Sequence, residues 1–265
     1  MTVGLLDLGG AAISYDVTGD AGPLAVQLHG LTSSRSRDAQ LGLDLGRALH
    51  AARVLRYDAR GHGRSTGDAD PASYGWDRLA DDLLRLLDQV APGERVHGVG
   101  PSMGTGTLLH AAVRDPDRFA SLTLVVPPTA WTTRAAQAET YRRNARFVER
   151  EGVDALVELG SSAPVPPALA DAPESYPAVD AGLLPTVLRG AADTDFPPVG
   201  RLRAISTPTL VLAWAGDPAH PLSTAEKLRE IIPGSVLSVA RSPHEVLGWA
   251  GRFAEHVGAA ARRAG

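Results

Sequence analysis

The chain contains no cysteine. That absence excludes disulfides, thiolate metal sites and a cysteine nucleophile together, and it leaves the redox compartment undetermined. Lysine occurs once, at Lys227, in a sequence rich in arginine and alanine, and aromatic residues make up only 5%. The 26 basic and 30 acidic residues leave a net charge of −4 with no long run of either sign, so a nucleic-acid partner is not expected. No apolar stretch is long enough to span a membrane, and no membrane partner is expected. The N-terminal MTVGLLDLGGAAISYDVTGD has no basic leading region, and Asp7, Gly9-Gly10 and Asp16 interrupt its apolar residues. It therefore does not read as a signal peptide, and a cytoplasmic location is expected. The eight histidines are scattered without metal-ligand spacing, so neither a metal nor a cofactor is expected.

What is present is a globular composition. Hydrophobic residues make up 44% and charged residues 21% of 265. A chain of this length forms one large domain, or a domain with an insertion, burying roughly 70–75% of its unfolded surface. The segment VGLLDLGGAAISYDVTG reads as a hairpin turning at Gly9-Gly10. Six apolar runs follow, PLAVQLHG, ARVLRYDARG, RVHGVG, SLTLVVPP, PTLVLAWAGD and SVLSVARSP, each with the look of a buried parallel strand. Helical patterns lie between them, most clearly over residues 75–90, where Leu79, Leu83, Leu86, Leu87 and Val90 form one stripe. This alternation predicts an α/β fold with a doubly wound, mostly parallel sheet and ligands at the carboxyl ends of the strands.

The alternation breaks between Pro127-Pro128 and about Arg203. Residues 128–203 are expected to form a helical lid inserted into a core of residues 1–127 and 204–265. TRAAQAETYRRNARFVEREG is its best helix, closed by Gly152, and SSAPVPPALADAPESYP is a proline-rich connection that no single regular element accommodates.

Chemistry concentrates at Gly100-Pro101-Ser102-Met103-Gly104, a G-x-S-x-G pattern between a strand-like RVHGV and a helix-like continuation. Such a turn lifts the serine hydroxyl above the sheet, and glycines two residues to either side let neighbouring chains approach without a Cβ clash. A Walker phosphate loop would need a lysine here, and a dinucleotide fingerprint from Gly98 would put Met103 where a small residue belongs. Pro101 is expected to stiffen the turn and not to enter the chemistry.

A serine hydroxyl is a weak nucleophile until a base takes its proton and an acid orients that base. His50, His97, His110 and His256 fall in or at the end of regular elements and read as structural or solvent-facing. His244, in SVARSPHEVLG, follows the last strand and is the expected base. Asp217, in GDPAHP after the strand PTLVLAWAG, is the expected acid, in a loop stiffened by Pro218 and Pro221. His220 is the competing base, but it shares the acid's loop and does not occupy a strand end of its own. The oxyanion of acyl transfer needs N–H donors, expected from Met103 and, in QLHGL, from Leu31, with Gly30 allowing the backbone to turn.

With LHG, YDARGHGRS, GPSMG, GDPAHP and the SPH before the last helix in that order, the chain resembles the α/β-hydrolase superfamily over nearly all its length. The resemblance implies that RGHGxS is a structural loop, suiting Asp58, Arg60 and His62, and that the lid lines the substrate pocket. Ser102 sets aside the aspartate-nucleophile dehalogenases and epoxide hydrolases, and Met103 weakens a likeness to proline iminopeptidases, which typically carry tryptophan there. Ser-Met-Gly is common in small esterases, enol-lactonases and C–C bond hydrolases.

The expectation is thus a hydrolase of a small carboxylic ester, lactone or related acyl substrate, working through an acyl-enzyme on Ser102, His244 and Asp217. The alternatives are a C–C bond hydrolase, or a lyase or cyclase using the same triad without an acyl-enzyme. A non-catalytic partner-binding relative would usually have lost a triad member. Gly30, Trp131, Tyr141, Arg142 and Arg146 are candidates for the substrate pocket, against a reading of the aromatics as the lid's own core and of the arginines as a solvated face with pairs such as Glu139–Arg143. A small-molecule substrate is the expected partner, and the sequence does not choose between a monomer and a homodimer.

Overall fold

In the computed structural model, residues 1–161, 165–173 and 176–264 are described. The hairpin is present: β1 (Thr2–Asp7) and β2 (Ala12–Thr18) pair antiparallel, from Thr2 opposite Val17 to Asp7 opposite Ala12. Gly9 takes the positive φ of the turn at 78°, and its N–H donates to the Asp7 carboxylate.

The chain then alternates as the apolar runs predict. In order come β3 (Leu24–Gln27), α1 (Arg35–Gln40), β4 (Arg53–Tyr57), α2 (Trp76–Val90), β5 (Val96–Pro101), α3 (Met103–Arg114) and β6 (Phe119–Val125). A helical stretch follows, with α4 (Arg134–Glu151), α5 (Val153–Ser161), α6 (Leu184–Ala192) and α7 (Val199–Leu202). The chain closes with β7 (Thr209–Trp214), α8 (Leu222–Ile231), β8 (Val236–Ala240), α9 (Pro243–Leu247) and α10 (Trp249–Ala264). All eight strands form one sheet in the order β1-β2-β4-β3-β5-β6-β7-β8, parallel from β4 to β8. The chain runs outward from β3 to β4 and then returns to β5 on the other side of β3. A crevice opens at the carboxyl ends of β3 and β5, where such a reversal places ligand sites.

Side chains on β7 show why the strands are buried on both faces. Val211 and Ala213 enter the core that contains Leu79, Leu83, Leu86 and Leu87 of α2, while Leu210, Leu212 and Trp214 enter the opposite core with Trp249 and Phe253 of α10. The period is 2 and both halves are apolar, as a central strand between two helical layers requires. The stripe on α2 is the expected one, with its four leucines buried and Val90 half-buried. Truncating Leu83, which is completely buried, to alanine would cost about 2–5 kcal/mol.

Between β6 and β7 the described residues contain no strand of the sheet, only an isolated bridge from Val179 to His62. α4 ends where Gly152 adopts φ 88°, the left-handed region that favours glycine. It packs on α6 around Ala145, Val148, Val187 and Leu188, a small core separate from the two faces of the sheet. Of the proline-rich connection, residues 162–164 and 174–175 lie outside the described residues. Pro167–Leu169 form a 3-10 turn that packs on α9. Among the described residues no helix is long and apolar enough to cross a membrane.

Candidate active site

Ser102 sits between β5 and α3 with φ 51° and ψ −108°, a conformation L side chains rarely adopt. Backbone strain of this kind costs about 1–3 kcal/mol and persists only where the surroundings fix it. Here the Ser102 N–H donates to Val125 O of β6 at 2.9 Å, tying the turn to the sheet. The flanking glycines are needed for close approach. A Cβ on Gly100 would stand 2.9 Å from Leu28 Cβ and 3.0 Å from Gly104 Cα, and one on Gly104 would stand 2.9 Å from Leu28 Cβ.

The serine hydroxyl meets a histidine, and that histidine is His220. Ser102 Oγ lies 2.8 Å from His220 Nε2, and His220 Nδ1 lies 2.7 Å from Asp217 Oδ2. Burial would raise the Asp217 carboxyl, but the hydrogen bond and charge of His220, with the N–H groups of Trp214 and Ala219, outweigh it and hold the group at about 2. At neutral pH Asp217 is therefore an anion that only accepts. The proton must be on His220 Nδ1, which leaves Nε2 free to accept from the serine. Trp214 Nε1 donates to the same Asp217 Oδ2 at 2.8 Å, and the indole stands edge-on to the His220 ring.

Local backbone explains the pairing. Asp217 Oδ1 accepts the Ala219 N–H at 2.9 Å and Asp217 O accepts the His220 N–H, forming a turn closed between Pro218 and Pro221. Residues i and i+3 of such a turn lie on one side, so acid and base are delivered together. The expected base, His244, is not at the serine and has to be corrected. It is an exposed residue of α9, whose start is fixed by the Ser242 hydroxyl accepting from Glu245 N. Beside α9 the Pro167–Leu169 turn packs in, and Pro166 and Leu169 line the cavity above Ser102. The signal for His220 was in the sequence, as the Asp-x-x-His spacing bounded by prolines.

Of the two expected oxyanion donors, Met103 directly follows Ser102 and Leu31 lines the same cavity. Met103 opens α3, so its N–H is at the free amino end of the helix. Gly30 lies against Ser102, since a Cβ there would be 3.8 Å from Ser102 Cβ. Gly30 O accepts from His29 Nδ1 at 2.8 Å and from Ser33 N at 3.1 Å. In a trans peptide the N–H opposes the C=O, so anchoring Gly30 O also fixes the direction of the Leu31 N–H. His29 Nε2 in turn accepts the Ala59 N–H, and burial lowers its pKa to about 4, so the imidazole is a neutral brace.

A cavity of about 250 Å³ opens on Ser102, Asp217 and His220, walled by Leu31, Leu41, Leu43, Val126, Pro166 and Leu169 among others. Of the expected pocket residues, Gly30 lines it and Trp131, Tyr141, Arg142 and Arg146 do not. Trp131 packs edge-on to Phe196, and Tyr141 packs against the small core between α4 and α6. Arg142 pairs with Asp193 and Arg146 with Glu139 on the exposed face of α4, while Arg143 reaches Thr140 and not Glu139. The inward arginine of α4 is Arg134, stacked 4.4 Å from the Trp76 ring centre and donating to Thr194 O. The YDARGHGRS residues tie neighbouring segments together. Asp58 accepts the N–H groups of Arg35 and Arg64, and Arg60 makes a two-pronged pair with Asp82.

Residues 26–151 match the family model described as the alpha/beta hydrolase fold. The chain is similar to 3-oxoadipate enol-lactonase 2 of Acinetobacter baylyi, 29% identical over 72% of this chain and 71% of that protein. It is also similar to a provisionally named carbamate hydrolase, RutD, of Variovorax paradoxus, 31% identical over 78% of this chain and 84% of the other. Among solved structures, a hydrolase from Pseudomonas aeruginosa PA01 superposes with a TM-score of 0.80 at 27% identity, covering 97% of this chain and 98% of that one.

Proposed function

Because this chain belongs to the α/β-hydrolase family, we propose that it is a serine hydrolase of small carboxylic esters or lactones, acting by acyl transfer. The observation that carries the proposal is the continuous hydrogen-bonded path from Asp217 through His220 to Ser102 Oγ. In this mechanism Ser102 Oγ attacks the substrate carbonyl carbon while His220 Nε2 takes its proton. Asp217 holds the Nδ1 tautomer and stabilises the imidazolium. The carbonyl oxygen becomes an oxyanion held by the N–H groups of Leu31 and Met103. On collapse the C–O bond of the leaving alkoxide breaks and His220 returns its proton to that oxygen. In a lactone the alcohol stays tethered to the acyl-enzyme. Water, deprotonated by His220, then releases the acid and restores Ser102.

The names of the relatives, an enol-lactonase and a carbamate hydrolase, both describe attack on a carboxyl-level carbonyl, which supports this reaction class. The cavity is smaller than the ~300–1,000 Å³ of sites for drug-sized ligands, which favours short acyl groups. Residues 128–203 act here as a cap, a role supported by Pro166 and Leu169 in the cavity wall.

The test is burst kinetics with an activated p-nitrophenyl ester, together with fluorophosphonate labelling. Wild type is expected to give a stoichiometric burst and a label on Ser102, and Ser102→Ala neither. Full turnover by Ser102→Ala would sink the mechanism. Labelling without a burst, and without ester turnover, would favour a triad serving as a base in lyase chemistry.

A further inference from the structure

The cavity above Ser102 also contains a carboxyl group that the acyl-transfer mechanism does not use. Asp38, on α1, lines the cavity and is only 3% exposed. Its Oδ1 accepts the Ser33 hydroxyl at 2.6 Å. Its Oδ2 is buried and has no hydrogen-bond partner among the described residues. A buried carboxyl oxygen without a partner costs free energy that a structure rarely leaves unrecovered, and on a side chain that lines a ligand cavity a small turn of the carboxyl group would bring that oxygen to a ligand.

The rest of the cavity defines what that ligand group must be. Its walls are mostly apolar, from Leu41 and Leu43 on the Asp38 side to Val126, Pro166 and Leu169. Thr32, Ser33 and Arg37 also line the cavity, but the Ser33 hydroxyl is engaged by Asp38 Oδ1 and the Arg37 guanidinium by Gln40 Oε1 and Pro173 O, so Asp38 is the wall's carboxyl group with an oxygen left for one polar substituent. The charged groups acting on Asp38 are Asp44 and Asp58, which disfavour its ionisation, and Arg37, which favours it. Burial dominates and places the group at about 7, so both protonation states are populated near neutrality. A substrate carboxylate would be repelled by the ionised form. A hydroxyl accepts from the protonated form and donates to the ionised one, so it suits both.

Resting on the acyl-transfer reading above, we propose that Asp38 is a specificity-determining residue, its Oδ2 hydrogen-bonding a hydroxyl group on the acyl chain of a short hydroxy-ester or hydroxy-lactone.

The experiment compares p-nitrophenyl butyrate with the p-nitrophenyl esters of 2- and 3-hydroxybutyrate, using the full-length chain. Wild type is expected to favour one hydroxy-ester over the unsubstituted ester by about tenfold or more in kcat/KM, as expected for a net hydrogen bond to a buried partner. Asp38→Leu should abolish that ratio through a higher KM for the hydroxy-ester with little change in its kcat. Asp38→Asn keeps a hydrogen-bonding group on the same atom, retains the Ser33 contact and should preserve the ratio. A wild type that prefers the unsubstituted ester, or an Asp38→Leu protein with the wild-type ratio, overturns the proposal. If Asp38→Leu does not fold by circular dichroism, an Asp38→Asn protein that has lost the ratio overturns it instead. Failure of the mechanism itself has a different signature, because Ser102→Ala would then hydrolyse all three esters as wild type does.

Discussion

Asp217 and His220 stand three residues apart in one turn, and their side chains meet at 2.7 Å between Oδ2 and Nδ1. The acid and the histidine that faces Ser102 thus share the loop after β7, and the histidine after β8 is left in solvent. His220→Ala is therefore expected to lower kcat on an activated ester by a factor on the order of 10⁴, as removal of a triad base does. His244→Ala should stay within about twofold of wild type. Steady-state kinetics of the two variants side by side decides between them, and the reverse ranking would overturn the pairing.

Trp214 tests the other end of the path. Its indole N–H donates to the carboxylate oxygen that also receives His220, so Asp217 is oriented by two donors on one atom and by Ala219 N–H on the other. Trp214→Phe keeps most of the ring, including its stacking on Trp249, and removes one hydrogen bond to an anion. Such a bond contributes about 1.5–3 kcal/mol. A fall in kcat of roughly tenfold or more with KM nearly constant is expected, and an equal rise in KM alone would indicate lost packing and not lost orientation.

Gly104 lies in the first turn of α3, where replacing glycine by alanine ordinarily gains up to about 1 kcal/mol of helix stability. Here the new Cβ would come within 2.9 Å of Leu28 Cβ and 3.2 Å of His29 O. Overpacking of that kind costs about 1–3 kcal/mol, so the sign should reverse. Gly104→Ala is expected to unfold at lower urea than wild type and to lose activity beyond the stability change, because the displaced atoms belong to the segment that aims Leu31 N–H. A variant more stable than wild type would contradict the close approach.

The strands and the positions of Ser102 and Asp217 at strand ends were legible for a reason that β7 makes plain. Its apolar residues run without a break because both faces are covered, and Asp217 follows directly where the sheet ends. Gly100 and Gly104 were legible because a missing Cβ is a statement about a neighbour, here Leu28. His220 is less legible, because chain order alone assigns one side chain to each strand end, whereas hydrogen bonds inside the Asp217–His220 turn put two side chains on one. The cavity wall was illegible for a different reason. Arg142 and Arg146 draw the eye by their spacing, yet that spacing describes the solvated face of α4. Pro166 and Leu169, which do face Ser102, sit in a stretch with no period.

Acid should weaken the fold through its buried histidines. Burial lowers His29 to about 4, His62 to about 3 and His97 to about 4, from an ordinary value of 6.5. His29 and His62 also face each other at 5.1 Å between ring centres, so charging one disfavours charging the other. Between pH 6.5 and about 4 the unfolded chain therefore binds protons at these positions that the folded chain refuses, and stability falls as pH drops. Asp38 acts the other way, since its raised value lets the folded chain hold a proton the unfolded chain has lost between 3.8 and about 7. The raised Asp82 adds to that opposition. Three histidines outnumber the two acids, so the net slope is positive, about 1–3 kcal/mol per pH unit at ~1.4 kcal/mol for each proton. Urea unfolding at pH 7, 6 and 5 should show the midpoint decreasing at each step, and a midpoint that rose on acidification would mean that the histidines are already charged in the folded protein.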